Sequence, residues 1–295
     1  MRDTIFPRWQ GAFLAIFLLA DGLYLPAAPQ AVHNLLLGGL LALLVSMLWL
    51  KILSNAQQRD FESLCQNHLP AWACRLLFAL VAAACIAGVW YSLQRLSAFW
   101  KQTAFMGFPR WFGALILLFL GWRAGRRGRT AVSMWAYPML FFTGAVILLS
   151  LLVTVPDCAP EHLPALFEGF TIMPSLLCRY LWLLLPLILC TQDKETPNLR
   201  AYSIGVLSGS LGLVLIALRA WLVLGAGASQ LPYPAFSAAG VFSVGDFLQR
   251  GEVIFGCALA LCEAVRVALL ITLLYSACRI VFPKQNAKQQ KPCQT

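Results

Sequence analysis

Acidic residues are scarce in this chain. Only 12 of its 295 residues are Asp or Glu, against 22 Lys or Arg, which leaves a formal net charge of +10. Its three histidines, His33, His68 and His162, stand far apart. So few carboxylates and imidazoles give no dense set of general acids, bases or metal ligands. HExxH, GxSxG and GxxxxGK[ST] are all missing, and zinc proteases, α/β-hydrolases and phosphate-cradling loops need those spacings. Ten cysteines occur without a CxxC, and most lie in or beside apolar runs (Cys74, Cys85, Cys178, Cys190, Cys257, Cys262, Cys278). They read as small buried apolar residues of a reduced protein, not as a disulfide framework. These absences argue against an enzyme and imply neither cofactor nor metal.

Apolar sequence is what the chain has in abundance. Hydrophobic residues make up 60% of it and charged residues 12%, with a mean hydropathy of +0.75. A soluble domain cannot hide that much apolar surface. Eight stretches approach or reach the length that crosses a hydrocarbon core of roughly 30 Å: 11–28, 34–53, 72–94, 111–123, 132–155, 172–191, 202–226 and 253–281. The expected fold is therefore an all-α integral membrane protein, one polytopic domain over 1–282 with a polar basic tail over 283–295.

Charge supports an even number of crossings. With the N-terminus in the cytoplasm, only Arg95, Lys101, Arg110 and Arg250 fall in outer segments, and Arg179, Arg219 and Arg266 fall inside spans. The remaining Lys and Arg lie on the inner side, as the positive-inside rule requires, so both termini are expected to be cytoplasmic. Loop cations such as GWRAGRRGR then meet anionic lipid headgroups, and the net positive charge implies no nucleic-acid partner. Cleavage of the first span near Ala28 as a signal peptide would strand an odd number of spans.

Two spans carry interruptions. LLADGLYLPAAP puts Asp21 and Gly22 within the first, with Tyr24, Pro26 and Pro29 following. LPALFEGFTIMPSLLCRYLWLLLP leads into the sixth through Glu168, Gly169 and Pro174, and carries Arg179. Broken helices at matching positions are a recurring device of inverted-repeat transporters, in which unwound backbone lines the substrate site. Buried charges accompany the breaks: Asp21 and Glu263 are acidic, while Arg179, Arg219 and Arg266 are basic. An unpaired charge in this setting is expensive, so pairing across helices is expected. Glu263 and Arg266, three residues apart in GCALALCEAVRVALL, are the local candidate pair. Asp21 with Arg179 or Arg219 would be long-range, and Arg219 has the alternative of snorkelling.

The stretch from Tyr233 to Ala277, YPAFSAAGVFSVGDFLQRGEVIFGCALALCEAVRVALLITLLYSA, resembles the B-subunit family of bacterial spore nutrient-germinant receptors. That family shows a Tyr-Pro pair, a loop ending in Phe-Leu-x-Arg-x-Glu, and a helix with a lysine near its middle. The matching positions are Tyr233, Pro234, Phe247, Leu248, Arg250 and Glu252, with Arg266 at the lysine position. Arginine keeps the charge but presents a planar fork instead of a compact ammonium. FPRWQGAFLAIFLLADGLYLP is similar to the family's opening, with a break one residue shorter and Asp21 where a small or hydroxylic residue is usual. GRTAVSMWAYPML is similar at Arg129 and Pro138, and HLPALFEGFTIMPSLL at Leu163, Pro164, Gly169 and Pro174.

The resemblance implies membership of the amino acid–polyamine–organocation transporter superfamily. Its core is built of two inverted five-helix repeats, so the expectation is an amino-acid-transporter-like core with the last two of ten helices missing. It further implies a permease-like germinant-receptor subunit of the bacterial spore inner membrane. Such a subunit binds a small nutrient, an amino acid by preference, and works with A-type and C-type receptor subunits. Ligand contacts are then expected at Asp21, Gly22, Tyr24, Glu168, Gly169, Pro174 and Glu263, with charge pairing at Arg179, Arg219 and Arg266. An ion-coupled secondary transporter of amino acids or related organic cations is the alternative, and a purely scaffolding subunit is a third reading.

Overall fold

The computed structural model describes residues 7–56, 61–103, 109–167, 169, 171–189, 199–240 and 251–282, and all regular structure among them is helical. Proline sets many of the boundaries. Helix α1 (Pro7–Leu19) tightens into a 3₁₀ turn at Ala20–Tyr24 and then opens into extended backbone at Leu25. Pro26 offers no N–H to the Gly22 carbonyl four residues back, and it disfavours helical geometry at Leu25. Helix α2 (Pro29–Asn55) restarts with Pro29 in its first turn and Ala28 pushed extended before it. The short α3 (Phe61–His68) leads to α4 (Ala71–Thr103), and α5 (Arg110–Gly125) follows. Gly128, at φ 90°, makes the turn into α6 (Arg129–Thr154), which runs through Pro138.

Three 3₁₀ turns, Val155–Asp157, Pro160–His162 and Pro164–Leu166, then cover one end of the bundle. The sixth apolar stretch is two pieces, α7 (Pro174–Leu181) and α8 (Leu184–Leu189). The turn between them, at Trp182–Leu183, is held by short-range bonds, with Leu183 N–H donating to Tyr180 O (3.0 Å) and Leu185 N–H to Trp182 O (3.2 Å). Pro186 explains its place, because the Trp182 carbonyl lies four residues before a residue without an N–H. The sequence suggested an interruption before Pro174; the structure adds this one inside the span. Helices α9 (Leu199–Leu224), α10 (Pro234–Ala239) and α11 (Gly251–Val281) complete the chain, with a further 3₁₀ stretch at Gly225–Gln230.

Among the described residues, five helices are long and apolar enough to cross a membrane: Pro29–Asn55, Ala71–Thr103, Ala131–Asp157, Arg200–Gln230 and Gly251–Val281. Gln10–Tyr24, Trp111–Gly125 and Pro174–Ile188 are shorter apolar helices. The chain is an all-α multi-pass membrane protein. Burial sorts these helices into a centre and a shell: 78% of the apolar window of α11 is buried, against 28–33% for α2, α4 and α6. Helix α1 is also central, with Phe13, Leu14, Ala15 and Ile16 fully buried. Helices apolar on every side belong inside such a bundle, and the shell shows Leu40, Leu48, Trp90 and Phe141 to lipid. Helix α4 runs nine residues past the end of the 72–94 span, so Arg95 lies inside the helix and not in an outer loop.

Small residues bring α1 and α9 together. A Cβ added to Gly205 would overlap the Gly11 backbone, one added to Gly11 would overlap the Ala201 carbonyl, and one added to Gly209 would come within 2.9 Å of Ala15 Cα. Ala201, Gly205 and Gly209 form a small-xxx-small stripe, which lets backbones touch where no hydrophobic force drives helices together. Gly205→Val is expected to destabilise the detergent-solubilised protein by about 1–3 kcal/mol, read as a lower Tm. Gly227→Ala, where the added Cβ meets open space, is expected to leave Tm unchanged.

Candidate functional site

The 3₁₀ turn after α1 delivers Asp21 into the bundle, where it is 4% exposed. Arg95 of α4 donates from Nη1 to Asp21 Oδ1 at 2.6 Å. Arg266 of α11 places its Nη1 3.1 Å from the same oxygen, an ion pair without full hydrogen-bond alignment. One carboxylate thus holds two guanidiniums from two other helices. Taking each ion out of water costs several kcal/mol, and close pairing with extra hydrogen bonds is what recovers it. Rings complete the desolvation: the Arg95 guanidinium lies 3.6 Å from the Tyr24 ring centroid and Arg266 4.7 Å from that of Phe17. Arg179 of α7 reaches the same turn by a different route, donating from Nη2 to the Tyr24 carbonyl at 3.0 Å. Opening of the helix at Pro26 leaves that carbonyl available.

Glu263 sits on the neighbouring turn of α11 and is fully buried. Among the described residues no salt bridge reaches its carboxylate, and the Ser92 hydroxyl of α4, which faces it, makes no fully formed hydrogen bond to it. Arg95 Nη2, Arg179 Nη1 and Arg266 Nε are without acceptors. Buried polar groups are normally satisfied. A group of unused donors beside a carboxylate without an ion pair is chemistry that a small zwitterion, or a proton or cation at the carboxylate, would complete.

An aromatic layer separates this cluster from the α10 end of the bundle. Tyr24 packs edge-on against Tyr233 (6.2 Å between centroids), Tyr233 against Phe99 (5.0 Å), and Phe99 against Phe236 (5.1 Å). Within that end lies Arg219, 2% exposed. It donates to the Ser150 hydroxyl and to the Ala235 carbonyl, and its guanidinium stacks over Phe255 at 4.2 Å. A separate groove of ≈ 210 Å³ lies between α2 and α7–α8, lined by groups such as Leu41, Val45, Leu181 and Leu187. Its aliphatic wall gives a polar nutrient no anchor, so the charged cluster is the better candidate site.

Residues 26–292 match the family described as spore germination protein. The chain belongs to that spore germination family. No curated protein and no solved structure matches it.

In this spore germination protein, Asp21, Gly22, Tyr24 and Glu263 come together at the cluster. Gly22 fits closely there, since a Cβ would come within 2.9 Å of the Ile216 side-chain end and 3.3 Å of that of Leu259, both of which would have to shift. Gly169 and Pro174 are exposed, away from the cluster; Gly169 adopts φ +68° and Pro174 opens α7. Glu168 lies outside the described residues, as do Phe247, Leu248 and Arg250. The expected Glu263–Arg266 pair does not form among the described residues, because Arg266 turns to Asp21. Of the three arginines expected to pair, only Arg266 meets a carboxylate among the described residues. Arg179 takes a backbone carbonyl, and Arg219 takes a hydroxyl and a carbonyl in place of an acid.

Two residues escaped the sequence reading. Arg95, which the span bounds place in an outer segment, lies within α4, and the continuing apolar sequence after residue 94 is the sign of it. Fully buried Asn34 donates from Nδ2 to Thr171 O and accepts from the Met173 N–H, both at 2.8 Å. It thereby satisfies the non-helical backbone ahead of α7, and a lone Asn in an apolar span was the available sign.

Asp21→Asn leaves the buried Arg95 and Arg266 guanidiniums without their ion-pair partner, and is expected to destabilise the protein by about 3–5 kcal/mol. Adding Arg266→Gln is expected to recover part of that loss. Arg95→Gln alone should cost less than Arg266→Gln, because the Arg95 side chain is 13% exposed and that of Arg266 only 3%. Thermal unfolding of the four variants in detergent checks the order.

Proposed function

We propose that this spore germination protein is the membrane subunit of a nutrient-germinant receptor that binds a small nutrient, an amino acid, at the Asp21–Glu263 cluster. The observation carrying the proposal is the buried carboxylate of Glu263, without an ion pair among the described residues, near guanidinium N–H groups that lack acceptors and beside a broken helix. The ammonium of an amino acid suits Glu263 and Ser92, and its carboxylate suits the free edge of Arg179. Binding would shift the balance between two packings of the helices around the turn, to the extent that the ligand prefers one of them. The subunit would sit in the spore inner membrane with eight crossings and both termini cytoplasmic, and A-type and C-type subunits would relay the signal.

Purified protein titrated with a panel of amino acids tests this reading. A ligand at roughly 100 times its Kd is expected to add about 2.7 kcal/mol of stability, a rise in Tm of several degrees, and Glu263→Gln is expected to abolish it. No shift with any ligand in a folded sample would overturn it. The unpaired Glu263 carboxylate also suits a second reading, an ion-coupled transporter of amino acids. Uptake into proteoliposomes driven by a proton or sodium gradient would favour transport, and binding without uptake favours the receptor.

A further inference from the structure

Counting charge at the cluster points to the class of nutrient. This step rests on the reading of the cluster as the ligand site. Among the described residues, three guanidiniums (Arg95, Arg179 and Arg266) face two carboxylates (Asp21 and Glu263), so the site holds one positive charge too many. The excess cannot be titrated away, because arginine stays protonated in proteins. A proton on Glu263 would enlarge it.

The unused donors lie on the same side of the balance. Asp21 engages Arg95 and Arg266 through a single oxygen, leaving Arg95 Nη2 and Arg266 Nε without acceptors; the Arg266 side chain is only 3% exposed. Arg179 bonds only a neutral carbonyl and keeps Nη1 free, so its charge meets no anion directly. The residue as a whole is partly exposed, whereas the free Nη1 itself is buried.

We infer that the ligand carries net negative charge, as an acidic amino acid does. A zwitterion with one ammonium and one carboxylate would satisfy Glu263 and one arginine edge, and would leave the excess unchanged. A second carboxylate removes it and uses two guanidinium edges in place of one, in the fork geometry that arginine offers carboxylates. Uncharged amides of the same shape bring a poorer acceptor and no charge.

The test compares acids with their amides on the purified full chain. Thermal unfolding is followed at fixed pH and matched ionic strength with L-aspartate, L-asparagine, L-glutamate, L-glutamine and L-alanine. The expected result is half-maximal stabilisation by one acid at a concentration at least tenfold lower than by its amide. Arg179→Gln, which removes the edge read as the partner of the ligand's α-carboxylate, is expected to weaken the responses to acid and amide alike. Equal or tighter binding of the amide, or of alanine, overturns the charge inference and leaves the amino-acid reading standing. No response to either acid overturns the charge inference, and silence across the whole amino-acid panel overturns the reading it rests on. The acid–amide comparison needs only the unaltered protein, so it decides the matter even if Arg179→Gln fails to fold.

Discussion

The Asp21 carboxylate is the point on which the interior depends. It sits on a turn that is neither α1 nor α2, and its partners come from α4 and α11, so one oxygen ties three separate parts of the chain. Helix breakage and charge burial occur together for a physical reason. A continuous helix would keep the Tyr24 carbonyl engaged; opened by Pro26, it can accept from Arg179. The turn therefore offers one charged and one neutral acceptor, and three arginines from three helices converge on them. The low dielectric that makes such an arrangement expensive also makes its geometry hard to replace by another.

Much of this was legible in the sequence, for reasons specific to the residues involved. Apolar runs and the uneven spread of Lys and Arg announce a polytopic helical protein, and Pro26, Pro29 and Pro174 mark backbone breaks by chemistry that needs no tertiary context. Asp21 and Glu263 stand out because an acid within an apolar span is rare, and Gly22 and Tyr24 accompany Asp21 in the interruption before Pro26. What escaped was partner choice. An i,i+3 spacing permits Glu263 and Arg266 to meet, but Arg266 takes an acid from the far end of the chain. Asn34 bonds a carbonyl 137 residues away. No local pattern carries such distances. Arg95 was missed because the end of an apolar run was taken as the end of the helix, whereas α4 continues as far as Thr103.

Arg219 shows a second way to keep a cation inside the bundle. With no acid at hand among the described residues, it is held by a hydroxyl, a carbonyl and the face of Phe255. Its carbonyl partner belongs to α10, a helix of six residues whose Pro234, Ala235, Ala238 and Ala239 are all buried. A helix that short has little stability of its own. Its position is set by neighbours: Arg219 at its first turn, and Phe99 packed against Tyr233 and Phe236. The α10 end and the charged cluster therefore share the aromatic residues that divide them.

The contact between α1 and α9 has a mechanical consequence. Flexible side chains let two helices slide, because rotamers exchange as ridges pass. Where Gly11 meets Gly205 and Ala15 meets Gly209, backbone rests on backbone and nothing can swivel out of the way. Shear along that seam would first have to lift the helices apart. The pair therefore behaves as one rigid spar, and any working motion of the molecule must be borne by the elements around it, where long side chains and broken turns supply the give.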